Sequence, residues 1–354
     1  MRGSTRALLT KVALVAAVTV LAASCQQPGT GTGPGTPSGS IPVDPCATSA
    51  ALACDPLQVN LAYLPQGTPR HQLAIVLNGT GAQPLGYTKL SSSLQAAGFA
   101  VAAVRYSSSA GTPAACPDSN AANDPDCHRA FRSEVTFGGN VADPTGHAYD
   151  SASVTVSQTS SLVNRTLRLV DYLASHYPND GWSEYQARTA GVCTTVDPVY
   201  GVCDLDWSKV VLVGHSLGAG EALYLSKFHA VSRVVMLSGP FDENTDSGTG
   251  AITVAPWITE GGFATPSSST YGLTNTVEPN FAATSAAWDA LGLAGPQASV
   301  DGALAPYGGS QQLTTSLTPA CTTPSSHHNS TAQDLCVNGT PPKLTMAWQF
   351  MAGA

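Results

Sequence analysis

The run Val210-Val211-Leu212-Val213 leads directly into Gly214-His215-Ser216-Leu217-Gly218. A short, continuously apolar run reads as a strand buried on both faces. Leu217 to His229 carries Leu223, Leu225 and Phe228 near helical spacing and contains no proline, so it reads as a helix. A G-x-S-x-G set between a buried strand and a helix is the sequence form of a nucleophile elbow. The serine occupies a strained turn, the glycines admit neighbouring backbone, and the hydroxyl projects from the sheet. Ser216 is therefore the candidate nucleophile, and the chain must build a sheet whose strand ends there.

The preceding segments supply that sheet. Leu57 to Leu64 alternates apolar and polar residues and predicts a strand with one solvated face. Leu73 to Leu77 is continuously apolar and ends at Asn78-Gly79-Thr80-Gly81; Tyr87 to Ala97 then reads as a helix closed by Gly98, and Phe99 to Val104 as the next strand. This is a βαβ unit, which builds parallel sheets. Ser107 to Asp150 is polar with little periodicity and reads as an insertion over the carboxyl edge of the sheet. Ser153 to Tyr177 predicts a long amphipathic helix, and Arg233 to Leu237 the strand after the elbow helix. The expected fold is α/β, a mostly parallel central sheet with helices on both faces, in which function gathers outside the carboxyl ends of the strands.

Residues 1–24 read as an export signal: Arg2, Arg6 and Lys11 precede the apolar stretch Val12 to Ala23. Leu21-Ala22-Ala23-Ser24-Cys25 resembles a lipoprotein signal in which Cys25 becomes the lipidated N-terminus. Ala22 stands where such signals usually place leucine, and an ordinary secretory signal is the alternative. Residues 25–45 are rich in Gly, Thr, Pro and Ser and read as a flexible tether. Residues 46–354 are then a single domain. Eight further cysteines fall into four close couples, Cys46–Cys54, Cys116–Cys127, Cys193–Cys203 and Cys321–Cys336. No C-x-x-C occurs, so disulfides in an oxidising compartment are expected in preference to a metal site. Charged residues make up 11% of the chain and the formal net charge is −8. Such a chain has no basic stripe for nucleic acid, and the expected membrane attachment is through the N-terminal lipid only.

Asn78-Gly79-Thr80-Gly81, the Cys116/Cys127 loop, the Asn164-Arg165 helix, Gly214 to Gly220, Ser238-Gly239-Pro240-Phe241-Asp242, Tyr271-Gly272-Leu273 and His328-Asn329-Ser330-Thr331 together resemble the α/β-hydrolase superfamily. Within it the chain resembles a group of exported bacterial serine hydrolases. The resemblance covers the chain from about Leu57 to its end and implies the order nucleophile, acid, histidine. His71, His128, His147 and His176 precede Ser216 and are excluded by that order. His215 lies within the elbow, where its ring is expected to point away from the chemistry, and His229 is expected to cap the elbow helix as a cation.

His327 and His328 remain, and the pattern after the histidine favours His328. A metal site using both rings would have only Asp334 nearby in sequence, and no metal or cofactor is expected. Glu278 follows the strand candidate Thr270 to Leu273 and is the favoured acid, with Asp242, after the preceding strand, as the alternative. The oxyanion would be held by the backbone N–H groups of Leu217 and Thr80.

These residues imply a serine esterase that works through an acyl-enzyme on a small-molecule or polymeric ester. A hydrolase-fold binding module without activity, or a peptidase or acyltransferase using the same residues, is the other reading. Trp257, Phe263 and Tyr271 are placed either in the acyl pocket or in the core. The Cys321–Cys336 loop carries few apolar anchors, so the crosslink is expected to be what holds His328 in place.

Overall fold

The computed structural model describes residues 39–54, 58–117 and 124–354. The export signal, Cys25 and most of the tether lie outside them. The sheet has nine strands: β1 Ser40–Val43, β2 Asn60–Tyr63, β3 Leu73–Leu77, β4 Ala100–Val104, β5 Val210–His215, β6 Arg233–Leu237, β7 Thr270–Asn275, β8 Ala298–Ser299 and β9 Gln312–Thr315. Their spatial order is β1-β2-β4-β3-β5-β6-β7-β9-β8. From β4 to β8 every neighbouring pair is parallel; β1 and β2 are antiparallel to each other, and β2 to β4. This is the mostly parallel α/β architecture expected, with β5, the strand that ends at the candidate nucleophile, between β3 and β6.

Successive strand residues point to opposite faces, so the apolar runs split into two layers. Leu73, Ile75, Leu77, Ala102, Val104 and Leu212 meet Phe131, Leu167 and Leu223 on one face. These come from helices α2 Cys127–Phe137, α3 Leu162–His176 and α4 Leu217–Ser226. Ala74, Val76, Val101, Ala103, Val211 and Val213 meet Leu90, Leu94, Trp348 and Met351 on the other. There the helices are α1 Thr88–Ala96 and α5 Thr345–Ala352. Ser161 caps α3 by accepting from the Asn164 N–H. Gly98 ends the α1 turn at φ +91°, where a Cβ would sit 2.3 Å from the Thr68 carbonyl oxygen.

Three expectations are corrected. All four β2 residues are buried, because Leu61 and Tyr63 face one layer and Ala62 the other while β1 covers the strand's edge. β1 itself comes from the segment whose composition reads as tether; its Pro42 is tolerated because the strand lies at the sheet edge. The polar insertion contains α2, whose His128, Arg132, Glu134 and Thr136 are buried. Polar residues inside the helix hide its periodicity. The four disulfides join the couples read from the sequence. Among the described residues, no helix is long and apolar enough to cross a membrane.

Candidate active site

Ser216 sits between β5 and α4 at φ 57°, ψ −118°, a backbone conformation that costs a non-glycine residue energy and persists only where its surroundings impose it. The glycines on either side show what imposes it. A Cβ on Gly214 would lie 1.9 Å from the Gly218 carbonyl oxygen, and one on Gly218 would lie 2.3 Å from that of Leu77. Hydrogen at Gly214 lets the strand and helix close on each other, and hydrogen at Gly218 lets the helix approach the end of β3. The Ser216 N–H donates to the Leu237 carbonyl at 2.8 Å, which ties the turn to β6.

The turn after β3 approaches the serine from the neighbouring strand. The Asn78 amide donates to the carbonyls of Gly79 and Ala82 and to Ser108 Oγ, and Tyr106 Oη donates to the Asn78 carbonyl at 2.6 Å. A Cβ on Gly79 would stand 3.0 Å from His215 Nδ1 and 3.1 Å from Ser216 Cβ. Among the described residues, the N–H groups of Thr80 and Leu217 donate to no protein acceptor, although Gly79, Gly81 and Ala82 in the same turn all do. Two donors near a serine are thus left for something else to accept.

His328 lies on the short helix Ser326–Asn329. Its Nδ1 is 3.1 Å from Glu278 Oε2, and the other Glu278 oxygen accepts from Thr274 Oγ1 at 2.6 Å. Glu278 is buried and follows β7, so the carboxylate is fixed at the carboxyl end of a central strand. Ser216, His328, Thr80, His215, Asn329 and Gln333 line one cleft of about 410 Å³. A depression of about 490 Å³ lies elsewhere, between Arg105 and Arg165, and none of the candidate residues lines it.

The alternative acid, Asp242, is engaged differently. Its oxygens accept from Arg132 Nε at 2.9 Å, Arg132 Nη2 at 2.6 Å and Trp257 Nε1 at 3.1 Å. Burial pushes this carboxyl up, but the Arg132 guanidinium, with His128 and the Trp257 N–H adding to it, holds it below the usual carboxylate range. Arg132 also donates to Glu221 Oε1 and to the Leu217 carbonyl, both at 2.8 Å. The second carboxylate after a sheet strand thus belongs to a buried ion cluster that grips the first turn of the elbow helix. Sequence reasoning missed Arg132; the glycine at position 220 is its trace, since a Cβ there would lie 2.1 Å from the guanidinium.

His327 turns to Asn275, 3.3 Å from its Oδ1, and Asp334 accepts from the backbone and hydroxyl of Thr88 and the backbone of Lys89, so the three do not converge on a metal. Asp44, Cys46 and Cys54 are close together, but both sulfurs are spent in a disulfide. His229 is not a cationic cap: burial pushes it down to about 4, and its ring stacks on Trp207 at 3.9 Å. Trp257 is core, packed edge-on to Tyr224, and Tyr271 packs on Phe350. His215 is the other correction. Its ring lines the cleft 5.1 Å from that of His328, and burial, with the neighbouring His328 adding to it, pushes it down to about 3.

No protein-family model matches the chain, and no curated protein matches it in sequence. Among solved structures, an acetyl xylan esterase from Aspergillus awamori is similar over 67% of this chain and 76% of that one, at 12% identity and a TM-score of 0.31. A similarity that slight assigns no function.

Proposed function

We propose that the protein is a carboxylic ester hydrolase that works through an acyl-enzyme on Ser216. The observation that supports this is the pairing of His328 with the buried Glu278 in the cleft that holds a strained serine. A serine hydroxyl is a weak nucleophile near neutral pH and needs a base. With Nδ1–H donated to Glu278, the remaining ring nitrogen of His328 is the one that takes the Ser216 proton as its oxygen attacks the ester carbonyl carbon. The same nitrogen then returns the proton to the departing alcohol. The Leu217 and Thr80 N–H groups hold the tetrahedral oxyanion. Water repeats the sequence on the acyl-enzyme and releases the acid. Ser325, Asn329 and Gln333 around the serine offer hydrogen bonds rather than apolar surface, which suits an ester whose alcohol is polar.

The test is turnover of 4-nitrophenyl esters of increasing chain length by the full chain, with covalent labelling by an active-serine phosphonate. Ser216→Ala is expected to keep the fold while losing essentially all turnover and labelling. Near-wild-type turnover by a clean Ser216→Ala preparation would overturn the assignment. Absence of labelling would favour a binding module, and labelling without turnover of any ester would favour a peptidase or acyltransferase.

A further inference from the structure

His215 stands next to the nucleophile in sequence, yet both of its ring nitrogens are occupied by groups from other parts of the site. Nε2 lies 3.1 Å from the His328 carbonyl oxygen, and Nδ1 lies 2.9 Å from Tyr87 Oη. A carbonyl only accepts, so Nε2 carries the hydrogen. Nδ1 is then the acceptor of the Tyr87 O–H, and Tyr87 Oη in turn accepts the Gly79 N–H at 2.8 Å. Every donor points the same way, from Gly79 N–H to Tyr87 O–H to His215, and from His215 Nε2–H to the His328 carbonyl. Tyr87 and His215 are both buried, where aligned hydrogen bonds reinforce one another and are not exchanged for water.

The two ends of this chain are the parts of the site that must be held in register. Gly79 precedes Thr80, whose N–H would receive the oxyanion, and the His328 backbone sets where its ring stands relative to Ser216. The His328 carbonyl also accepts from Ser238 Oγ at 3.0 Å, and Ser238 Oγ is 2.8 Å from Thr331 Oγ1. The backbone of the general base is thus clamped from β5 and from the end of β6. We propose that His215 is a neutral positioning residue that locks the oxyanion turn to the His328 backbone through Tyr87. This rests on the hydrolase reading above. A protonated His215 would have to direct Nδ1–H at Tyr87, breaking the order of donors, and would place a second positive charge beside His328 as that ring takes up the serine proton.

Three variants and one spectrum test it. His215→Leu is expected to lower kcat by about tenfold to a hundredfold, since small displacements of a proton-shuttling group cost that much, with KM changed less than twofold. His215→Gln, which keeps an N–H near the Nε2 position, is expected to recover most of the loss. Tyr87→Phe is expected to lower kcat by itself but to add little to His215→Leu, because both break one chain. Wild-type kcat in His215→Leu, equal loss in His215→Gln, or full additivity with Tyr87→Phe overturns the proposal. Imidazole 15N spectra of the wild-type protein at pH 5 are expected to show His215 neutral with its hydrogen on Nε2, and His328 resonances are expected to move in His215→Leu. If wild-type Ser216 takes no phosphonate, the hydrolase reading fails, and these spectra still decide whether the lock exists; a protonated or Nδ1-bearing His215 overturns it.

Discussion

At the scale of single residues, burial sets the charge of His229. His229 ends on the face of Trp207, and burial pushes it down to about 4. The unfolded chain binds a proton at this ring below about pH 6.5, whereas the folded chain does so only below about 4. Between those values the unfolded state holds more protons, so the neutral ring's contribution is complete above about pH 6.5 and is lost as pH falls toward 4. His229→Gln, which cannot titrate, is expected to show a shallower fall in Tm between pH 7 and pH 5 than the wild type. Calorimetry across that range measures it, and parallel slopes would rule the account out.

At the scale of elements, the insertion helix and the histidine loop are both held by polar contacts inside apolar surroundings. Arg132 from α2 bridges Asp242, Glu221 and the Leu217 carbonyl, and its side chain is 1% exposed. Removing one partner of a buried ion cluster leaves charges uncompensated, which typically costs about 3–5 kcal/mol. Arg132→Met is expected to lose stability of that order in urea unfolding. Adding Asp242→Asn and Glu221→Gln, which removes the stranded charges, should restore part of it. The histidine loop differs from its sequence reading. Thr331, Ala332 and Val337 are buried, Trp348 Nε1 donates to the Thr331 carbonyl at 2.9 Å, and Asp334 accepts from the first turn of α1. The Cys321–Cys336 crosslink is one anchor among several. The double change Cys321→Ser with Cys336→Ser is therefore expected to cost on the order of 3 kcal/mol of stability, the chain-entropy value for a loop of this size. Ester turnover at 25 °C should stay within a few-fold of wild type; a larger loss would show that the disulfide alone sets the position of His328.

At the scale of the whole molecule, the parallel strands bring distant segments to one edge. The turn after β3, the elbow after β5, Glu278 after β7 and the loop after β9 all lie at carboxyl ends of strands, where an open α/β sheet places its site. Four disulfides are those of an exported chain, since cytosolic thiols are kept reduced. Lipidation of Cys25 is the further proposal. Cys25→Ser is expected to move the protein from the membrane fraction to the soluble one, and lipid mass on the mature N-terminal peptide should vanish with it. An unchanged membrane fraction would reject the anchor.

The sequence alone determined the features that local rules govern. Apolar runs of strand length, the glycine spacing of the elbow and the closeness of the cysteine couples each depend on residues near one another, so the α/β class, the tight strand-to-helix turn at Ser216 and the four disulfides were legible. The choice of His328 and Glu278 came from chain order and resemblance, and the structure brings the two side chains together. What the sequence left undecided depends on partners far away along the chain. Asp242 and Glu278 both follow sheet strands; only the packing of α2 gives Asp242 to Arg132. Arg132 itself sits in a stretch whose buried polar residues erase the helical pattern. His215 reads as a residue beside a nucleophile, and its role is set by Tyr87 and His328, separated from it by 128 and 113 residues. Burial of polar groups is stable only when each finds its partner, and those partners are chosen by tertiary structure.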